Sequence, residues 1–207
     1  MVRLYVEGGG ESAALNTACR EGFSKFLQKA KRAGRMPRII ACGSRRNAYE
    51  SFCIAIRNGQ AAMLLVDSEE GVLAVAQPGS KQQSQAWRPW LHLKNRQGDG
   101  WAMPQGSKDM QCHLMVQCME AWLLADPQAL EDFFGQGFRR TALPAIDGRL
   151  EEIDKDRLYQ ALAKATAKCK TKSRYGKGEH SFKLLGLIDP SKVTAASPWA
   201  KRFIDAL

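Results

Sequence analysis

The 207-residue sequence predicts an α/β protein in which helices flank a parallel central sheet. In the first third of the chain, short β-type apolar runs alternate with segments whose apolar residues recur every three or four positions. The order strand, helix, strand, helix, strand favours parallel pairing through right-handed crossovers. The third run, Ala61 to Val66, is apolar without alternation, which is typical of a strand covered on both faces.

Capping residues delimit the elements of this first third. The strand at Val2 to Val6 ends just before a run of glycines, and Ser12 is placed to cap the helix that follows. A second β-type run covers Arg38 to Cys42. The helix after it begins at either Ser44 or Asn47, since both residue types cap helices well.

The rest of the chain divides into an irregular insertion and a helical extension. Residues 71–109 are rich in Gln, Gly, Ser and Trp and have poor periodicity, so we expect a long insertion with short pieces of structure around its tryptophans. The next apolar run predicts a strand leading into a helix that stops at Asp126, which precedes a proline. We therefore divide the chain into a core, residues 1–126, and a helical C-terminal extension, residues 127–207, packed on that core.

Composition limits the classes of partner. The formal net charge of +10 points to an anionic partner, most often nucleic acid, although a basic solubilising surface explains the charge equally well. No apolar run approaches the roughly 20 residues of a membrane span, so we expect neither secretion nor a membrane partner. The six cysteines form no CxxC pair, which predicts reduced thiols in a cytoplasmic protein. Cys112, His113 and Cys118 lack a second pair at ligand spacing, so we do not expect zinc.

Three acidic residues follow predicted strands. Glu7 lies at the end of the first strand, and Asp67 and Glu69 lie at the end of the third. If these two strands are neighbours, the carboxylates converge at the edge where open parallel sheets bind ligands. They would repel one another unless a divalent cation lay among them, and hard oxygen ligands suit Mg²⁺ or Mn²⁺. The alternative is that each acid is a solvated loop residue.

Glu120 is a fourth candidate ligand. In a helix its neighbours on the same face, Val116, Leu123 and Leu124, are apolar. A buried carboxylate needs a cation or a hydrogen-bonding partner, so Glu120 is a further metal ligand, an anchor behind the metal site, or half of a buried ion pair. A different helix phase, which would turn Glu120 away from the apolar face, is the remaining alternative. Asp126 is better explained as a helix cap.

These residues resemble the pattern of a Toprim domain, the catalytic module of topoisomerases, primases and overcoming-lysogenization-defect nucleases. The pattern is Val-Glu-Gly after the first strand and Asp-x-acid after a hydrophobic strand. The resemblance implies a Toprim-like (Rossmann-like) fold. It also implies that Glu7 acts as a general acid or base and that Asp67 and Glu69 bind Mg²⁺. Glu69 stands where the Toprim pattern has Asp, although a carboxylate is retained.

A closer resemblance, to the bacterial domain-of-unknown-function family 4276, covers nearly the whole chain. Its most specific part is the stretch Met119 to Asp126 around Glu-Ala-Trp. Similar segments occur at Leu4 to Gly8, His113 to Gln117 and Ala200 to Phe203. Members are Toprim-like and often encoded beside an ATPase in phage-defence settings, which implies an ATPase partner.

Positive charge is concentrated in two segments, Arg20 to Arg46 and Lys164 to Lys183. We expect both to contribute to a nucleic-acid surface, because Lys and Arg neutralise backbone phosphates. The alternatives are a solvated loop and a docking site for an acidic protein. The residues that we expect to contact nucleic acid are Arg45, Arg46, Lys170, Lys172, Arg174 and Lys177. His180 is a minor candidate for proton transfer, and we expect Trp87, Trp90 and Trp101 to pack rather than stack on bases.

Together these features predict a Mg²⁺- or Mn²⁺-dependent phosphodiester-cleaving protein of the nuclease type. The catalytic residues would be Glu7, Asp67 and Glu69, and the resemblance adds a role as an effector subunit in anti-phage defence with an ATPase. The alternative is a non-catalytic nucleic-acid-binding or regulatory subunit of an ATPase complex. DNA and RNA are equally open as partners, and so is self-association.

Overall fold

A computed structural model describes residues 1–10, 12–30, 36–78, 86–148 and 150–207. The strands are β1 (Arg3–Val6), β2 (Arg38–Ala41), β3 (Ala62–Asp67) and β4 (Cys112–Met115). They form one sheet in the order β2-β1-β3-β4, and every pairing is parallel. The predicted α/β class with a Rossmann-like parallel central sheet is therefore confirmed.

Two capped helices make the first crossovers. In α1 (Ala13–Lys29) the Ser12 side chain accepts a hydrogen bond from the Leu15 backbone N–H at 3.1 Å. In α2 (Arg45–Arg57) the Ser44 side chain accepts one from the backbone N–H of Asn47, also at 3.1 Å. Of the two predicted starts of this helix, the structure therefore selects Ser44.

Each face of the sheet has its own apolar core. Leu4 and Leu65 point to the face covered by α1 and the C-terminal helices, whereas Tyr5 and Leu64 point to the face covered by α2. Because helices cover both faces, β3 is buried at every position, as its unbroken apolar run predicts.

The insertion contributes a short helix, α3 (Pro89–Asn95), whose residues Trp90 and Leu93 are buried against the α2 side of the sheet. Trp87 makes an edge contact with Trp199, the ring centroids being 4.6 Å apart. Trp101 stacks on Tyr49 at the same separation. The expectation that the tryptophans pack is therefore confirmed, and residues 79–85 lie outside the described part.

The predicted helix after β4 is a 3-10 helix, Met119–Ala125, and all of its residues are buried. It ends where predicted, because Asp126 precedes a proline and its side chain caps the next helix by accepting from the Ala129 N–H. The later helices are α4 (Pro127–Phe134), α5 (Lys155–Thr166), α6 (Lys177–Leu185), α7 (Pro190–Ala196) and α8 (Pro198–Asp205). Short 3-10 turns lie at Ala74–Ala76, Asp109–Gln111, Arg140–Ala142 and Leu150–Glu152.

The C-terminal helices pack directly on the sheet and on α1. Arg202 of α8 donates from Nη1 to the carbonyl of Cys112 at 2.7 Å, which covers the β4 edge. Helix α6 lies against α1 at Gly22, where an added Cβ would stand only 2.5 Å from the carbonyl oxygen of Phe182. This close approach brings the first turn of α6 to the carboxyl end of the sheet. Within the described ranges, no helix is both long and apolar enough to cross a membrane.

Candidate active site

The strand order brings the predicted acids together. The strands β1 and β3 are hydrogen-bonded neighbours, with Val6 opposite Leu65, and the Glu7 N–H donates to the Leu65 carbonyl at 3.0 Å. From β1 the chain crosses to β2 on one side and then to β3 on the other, so this is the point where the direction of winding reverses. Open parallel sheets bind ligands at such points.

The three carboxylates form one cluster. One oxygen from each of Glu7, Asp67 and Glu69 lies within 4.8 Å of the other two. Glu7 Oε2 accepts from the Asp67 backbone N–H at 3.0 Å, and Asp67 Oδ1 accepts from the Met119 N–H at 2.8 Å. The Glu7 and Asp67 carboxylates are therefore held by the backbone of the β3 end and of the 3-10 helix.

A buried serine shapes the loop between the second and third acids. Ser68 Oγ accepts from the Gln117 N–H and donates to the Glu70 carbonyl, each at 2.6 Å. The Ser68 carbonyl accepts from His92 Nε2 at 3.0 Å. Glu69 has a φ of +70°, a conformation that costs energy outside glycine. The loop is thus held in an unusual conformation that turns Glu69 toward the other two carboxylates.

Two cations lie among the carboxylates. Arg45 Nη1 donates to the Asp67 carbonyl and lies 3.5 Å from Glu7 Oε2 and 3.8 Å from Glu69 Oε1. Lys155 Nζ lies 2.5 Å from Glu69 Oε2 and 4.0 Å from Asp67 Oδ2. We predicted Arg45 as a nucleic-acid contact. Its side chain is mostly buried in the acidic cluster rather than on an open basic surface, and its contact with nucleic acid stays a prediction.

Sequence reasoning missed Lys155. A signal was present, because Lys155 is the first residue of α5 and a cation in the first turn opposes the helix dipole. The Glu69 carboxylate offsets this unfavourable interaction, since its Oε2 lies 2.5 Å from Lys155 Nζ.

Burial and the neighbouring charges shift the pKa values of the three acids in different directions. Burial raises the pKa of Glu7 to about 7, against the opposing attraction of Arg45. Burial, together with repulsion from Glu7 and Glu120, raises the pKa of Asp67 well above its usual range. Burial also acts to raise the pKa of Glu69, but its hydrogen bond and attraction to Lys155 lower it overall. Two carboxyls are therefore poised to bind either a proton or a cation.

The donor chemistry of the cluster fits Mg²⁺ or Mn²⁺. All three side chains offer hard oxygen atoms, which these cations prefer. Burial raises the pKa of Glu7 and of Asp67, although Arg45 and Lys155 oppose the shift at Glu7 and Lys155 and Lys177 oppose it at Asp67. Among the described residues, no other group of three such side chains is close enough to hold a metal.

Glu120 is the centre of a separate polar network. Its side chain is 1% exposed, and its two oxygens accept from Tyr159 OH and Ser181 Oγ, each at 3.0 Å. Tyr175 OH in turn donates to Ser181 at 2.7 Å, because the only hydroxyl hydrogen of Ser181 is used on Glu120. Lys177 Nζ is 3.8 Å from Glu120. The expected hydrogen-bonding partners are present, and metal ligation by Glu120 stays a prediction.

Two cavities open on either side of Glu7. The first, about 350 Å³, joins Glu7 and Asp67 to Glu120 and Lys177 along a wall of glycines, Gly8 to Gly10 and Gly43. This wall is braced by paired backbone hydrogen bonds between Gly8 and Gly43 at 2.9 and 3.0 Å. Because glycines carry no side chain, a ligand could approach the backbone closely there.

The second cavity, about 810 Å³, is lined by arginines and aromatic rings. Arg45, Arg46 and Arg96 line it together with Tyr49 and Trp101. Its acids balance this charge, since Arg46 pairs with Glu50 at 2.8 Å and both other arginines pair with Asp99.

The remaining basic residues named from the sequence lie at the surface. Lys170, Lys172 and Arg174 are exposed in the loop before α6, and Lys172 Nζ lies 5.0 Å from the ring centre of Phe133. Lys177 ends this segment and lines the first cavity, so the segment leads to the carboxylates. Their contact with nucleic acid stays a prediction.

His180 is a buried structural residue in this arrangement. Its ring is almost fully enclosed, and Nδ1 accepts from the Gly176 N–H at 3.0 Å. Burial lowers the pKa of His180, against the opposing attraction of Glu179. The neutral ring therefore closes the first turn of α6.

Comparison with known proteins identifies the family of the chain. Neither the curated proteins nor the solved structures contain a match. A family profile described as "Domain of unknown function (DUF4276)" matches residues 6–207 and so includes every residue of the carboxylate cluster. This is the family that the Glu-Ala-Trp stretch resembles, and the chain belongs to it.

Proposed function

We propose that the protein is a Mg²⁺- or Mn²⁺-dependent phosphodiesterase of the nuclease type, with a Toprim-like active site at Glu7, Asp67 and Glu69. One observation carries this proposal. The three carboxylates converge at the switch point of the sheet. Glu7 borders both cavities, of which the first is also lined by Asp67 and Lys177 and the second by Arg45. Acidic metal ligands with basic residues beside them are what cleavage of a phosphate ester requires.

The proposed reaction divides the work among these residues. A bound divalent cation would neutralise phosphate charge and activate a water molecule. Burial raises the pKa of Glu7 to about 7 in the absence of a metal, so this carboxyl can accept or donate a proton near neutral pH when it does not ligate the cation. Arg45 and Lys177 would hold the phosphate oxygens, and the glycine wall would let the nucleic-acid backbone lie against the protein backbone.

The partners belong to the same proposal. We take the exposed residues Lys170, Lys172 and Arg174, with Arg46, as contacts to the phosphate backbone of DNA or RNA. The resemblance to Toprim-like proteins encoded beside ATPases supports an ATPase partner and a role as an effector in anti-phage defence.

Cleavage assays with matched variants test the proposal. Purified protein would be incubated with single- and double-stranded DNA and RNA in Mg²⁺, Mn²⁺ or EDTA. We expect metal-dependent cleavage that is lost in Asp67→Asn and Glu7→Gln, which keep the side-chain size. Glu70→Gln is the control, because Glu70 is exposed and lies outside the carboxylate cluster. Equal cleavage by Asp67→Asn and the wild type would refute the assignment.

One observation favours the second candidate, a non-catalytic nucleic-acid-binding or regulatory subunit. Arg45 and Lys155 already pair with Glu7 and Glu69, so part of the negative charge is neutralised by the protein itself. This candidate predicts nucleic-acid binding that persists in EDTA, with no cleavage under any divalent metal.

A further inference from the structure

The end of the insertion contacts Arg45, the α2 residue that lies among the carboxylates. Residues 96–101 form the turn after α3, and the side chain of Asp99 in this turn is only 4% exposed. Gly98 and Gly100 on either side of it have φ values of +95° and +64°. These left-handed conformations are open to glycine and form the turn around Asp99.

Asp99 uses its two carboxylate oxygens on two arginines. Oδ2 lies 2.5 Å from Arg45 Nη2, and Oδ1 lies 3.1 Å from Arg96 Nη1. A buried carboxylate needs such partners. Arg45 divides its positive charge among Asp99, Glu7 and Glu69, and Arg96 supplies further positive charge to Asp99. Arg96 therefore binds the second oxygen of Asp99 and helps to hold the carboxylate in place.

An aromatic pair forms the other side of the same contact. The guanidinium carbon of Arg45 lies 5.0 Å from the centre of the Trp101 ring, a cation–π distance. Trp101 stacks parallel to Tyr49, whose hydroxyl donates to the Ala102 carbonyl at 2.8 Å. Tyr49 thereby fixes Trp101 through the ring stack and through the hydrogen bond to the next residue along the chain.

We propose that Asp99 and Trp101 are positioning residues that hold the Arg45 guanidinium against the carboxylate cluster, ready to contact the phosphate of a bound nucleic acid. This rests on the proposed function for the identity of the ligand. An arginine side chain loses rotamer entropy when it is immobilised, so holding the guanidinium in advance removes that cost from the stabilisation of charge that develops on the phosphate during cleavage. With Nη2 on Asp99 and Nη1 on the Asp67 carbonyl, the orientation of the guanidinium plane is determined.

Side-chain NMR of ¹⁵N-arginine-labelled protein tests the positioning independently of any activity. A held guanidinium rotates slowly and gives separate Nη signals, which average when it is released. Arg45→Lys assigns the Arg45 signals. We expect Asp99→Asn to average them and Glu131→Gln to leave them separate, because Glu131 pairs with Arg140 at 3.8 Å outside both cavities. Separate Arg45 signals in folded Asp99→Asn would overturn the proposal. If Asp99→Asn does not fold, Trp101→Phe and Trp101→Leu are read in the same way.

Cleavage kinetics supply the second measurement. Asp99→Asn should lower kcat on the order of 100-fold with little change in KM, as expected when a reacting-site group is misplaced by about 1 Å. In an Arg45→Ala background the same change should cause no further loss, because Asp99 acts through Arg45. Losses that multiply in the double variant would overturn the proposal. If the wild type cleaves nothing, the proposed function fails, and the NMR spectra alone still decide whether Asp99 holds Arg45.

Discussion

The cost of keeping Glu7 in its buried position can be measured. Its side chain is 18% exposed, and burial raises its pKa from 4.5 to about 7, with Arg45 and Lys155 opposing the shift and Glu69 adding to it. Below pH 4.5 both the folded and the unfolded protein are protonated at this site. Between pH 4.5 and 7 only the folded protein keeps the proton, so stability falls as the pH rises. Above pH 7 the full cost applies, which is about 3 kcal/mol because each tenfold change in the dissociation constant is about 1.4 kcal/mol.

Glu7→Gln removes this cost while retaining an oxygen that can accept from the Asp67 N–H. We expect the variant to be more stable than the wild type by about 3 kcal/mol at pH 8 and nearly equal to it at pH 5. The assay is urea unfolding of both proteins in EDTA at the two pH values. Glu70→Gln is the control, with no pH-dependent difference expected. An equal stability difference at pH 5 and pH 8, or a variant destabilised at pH 8, would refute the reasoning.

Three further predictions concern the neighbours of the cluster. Lys155→Met should tighten Mn²⁺ binding on the order of tenfold in calorimetry, because Lys155 Nζ is 2.5 Å from Glu69, whereas exposed Lys164→Met should leave it unchanged. Weaker binding by Lys155→Met would contradict competition between the lysine and a metal. Tyr159→Phe should lower the free energy of unfolding by about 1–3 kcal/mol, since buried Glu120 loses a hydroxyl donor, and a loss below about 0.5 kcal/mol in urea titration would show that the donor is dispensable. Finally, Mn²⁺ at 100 times its dissociation constant should stabilise the wild type by about 2.7 kcal/mol against urea, and Asp67→Asn should abolish that gain.

The location of the carboxylate cluster could be predicted from local sequence. The apolar run of β3 identifies a strand covered on both faces, and Glu7 and Asp67 stand at strand ends. Parallel strands place their carboxyl ends on one edge, so only the adjacency of β1 and β3 was left open. In the structure β1 and β3 are paired directly, so the two strands are neighbours.

The counter-charges could not be predicted in the same way. Lys155 and Asp99 are separated by long stretches of chain from the acids and the arginine that they contact. The position of Lys155 in the first turn of α5 marks it as unusual, but nothing in the sequence near Lys155 or Asp99 specifies which other residues each one contacts. The insertion has weak periodicity, and the helices of the C-terminal extension could pack in several ways. Arg45 illustrates the difficulty, since the same position in a basic segment suits an exposed phosphate contact and a buried ion pair equally well.

The sequence by itself determined the α/β class, the Ser12 cap of α1, the strand-end acids and the family. These depend on periodicity, on side-chain chemistry and on short motifs that are local along the chain. Only the tertiary structure decided that Arg45 and Lys155 lie among the carboxylates, that Asp99 pairs with Arg45, and that Tyr159 and Ser181 donate hydrogen bonds to Glu120. The physical reason is that electrostatic compensation of buried charge depends on distances of a few ångströms between residues far apart in the sequence, and these distances exist only once the helices have packed on the sheet.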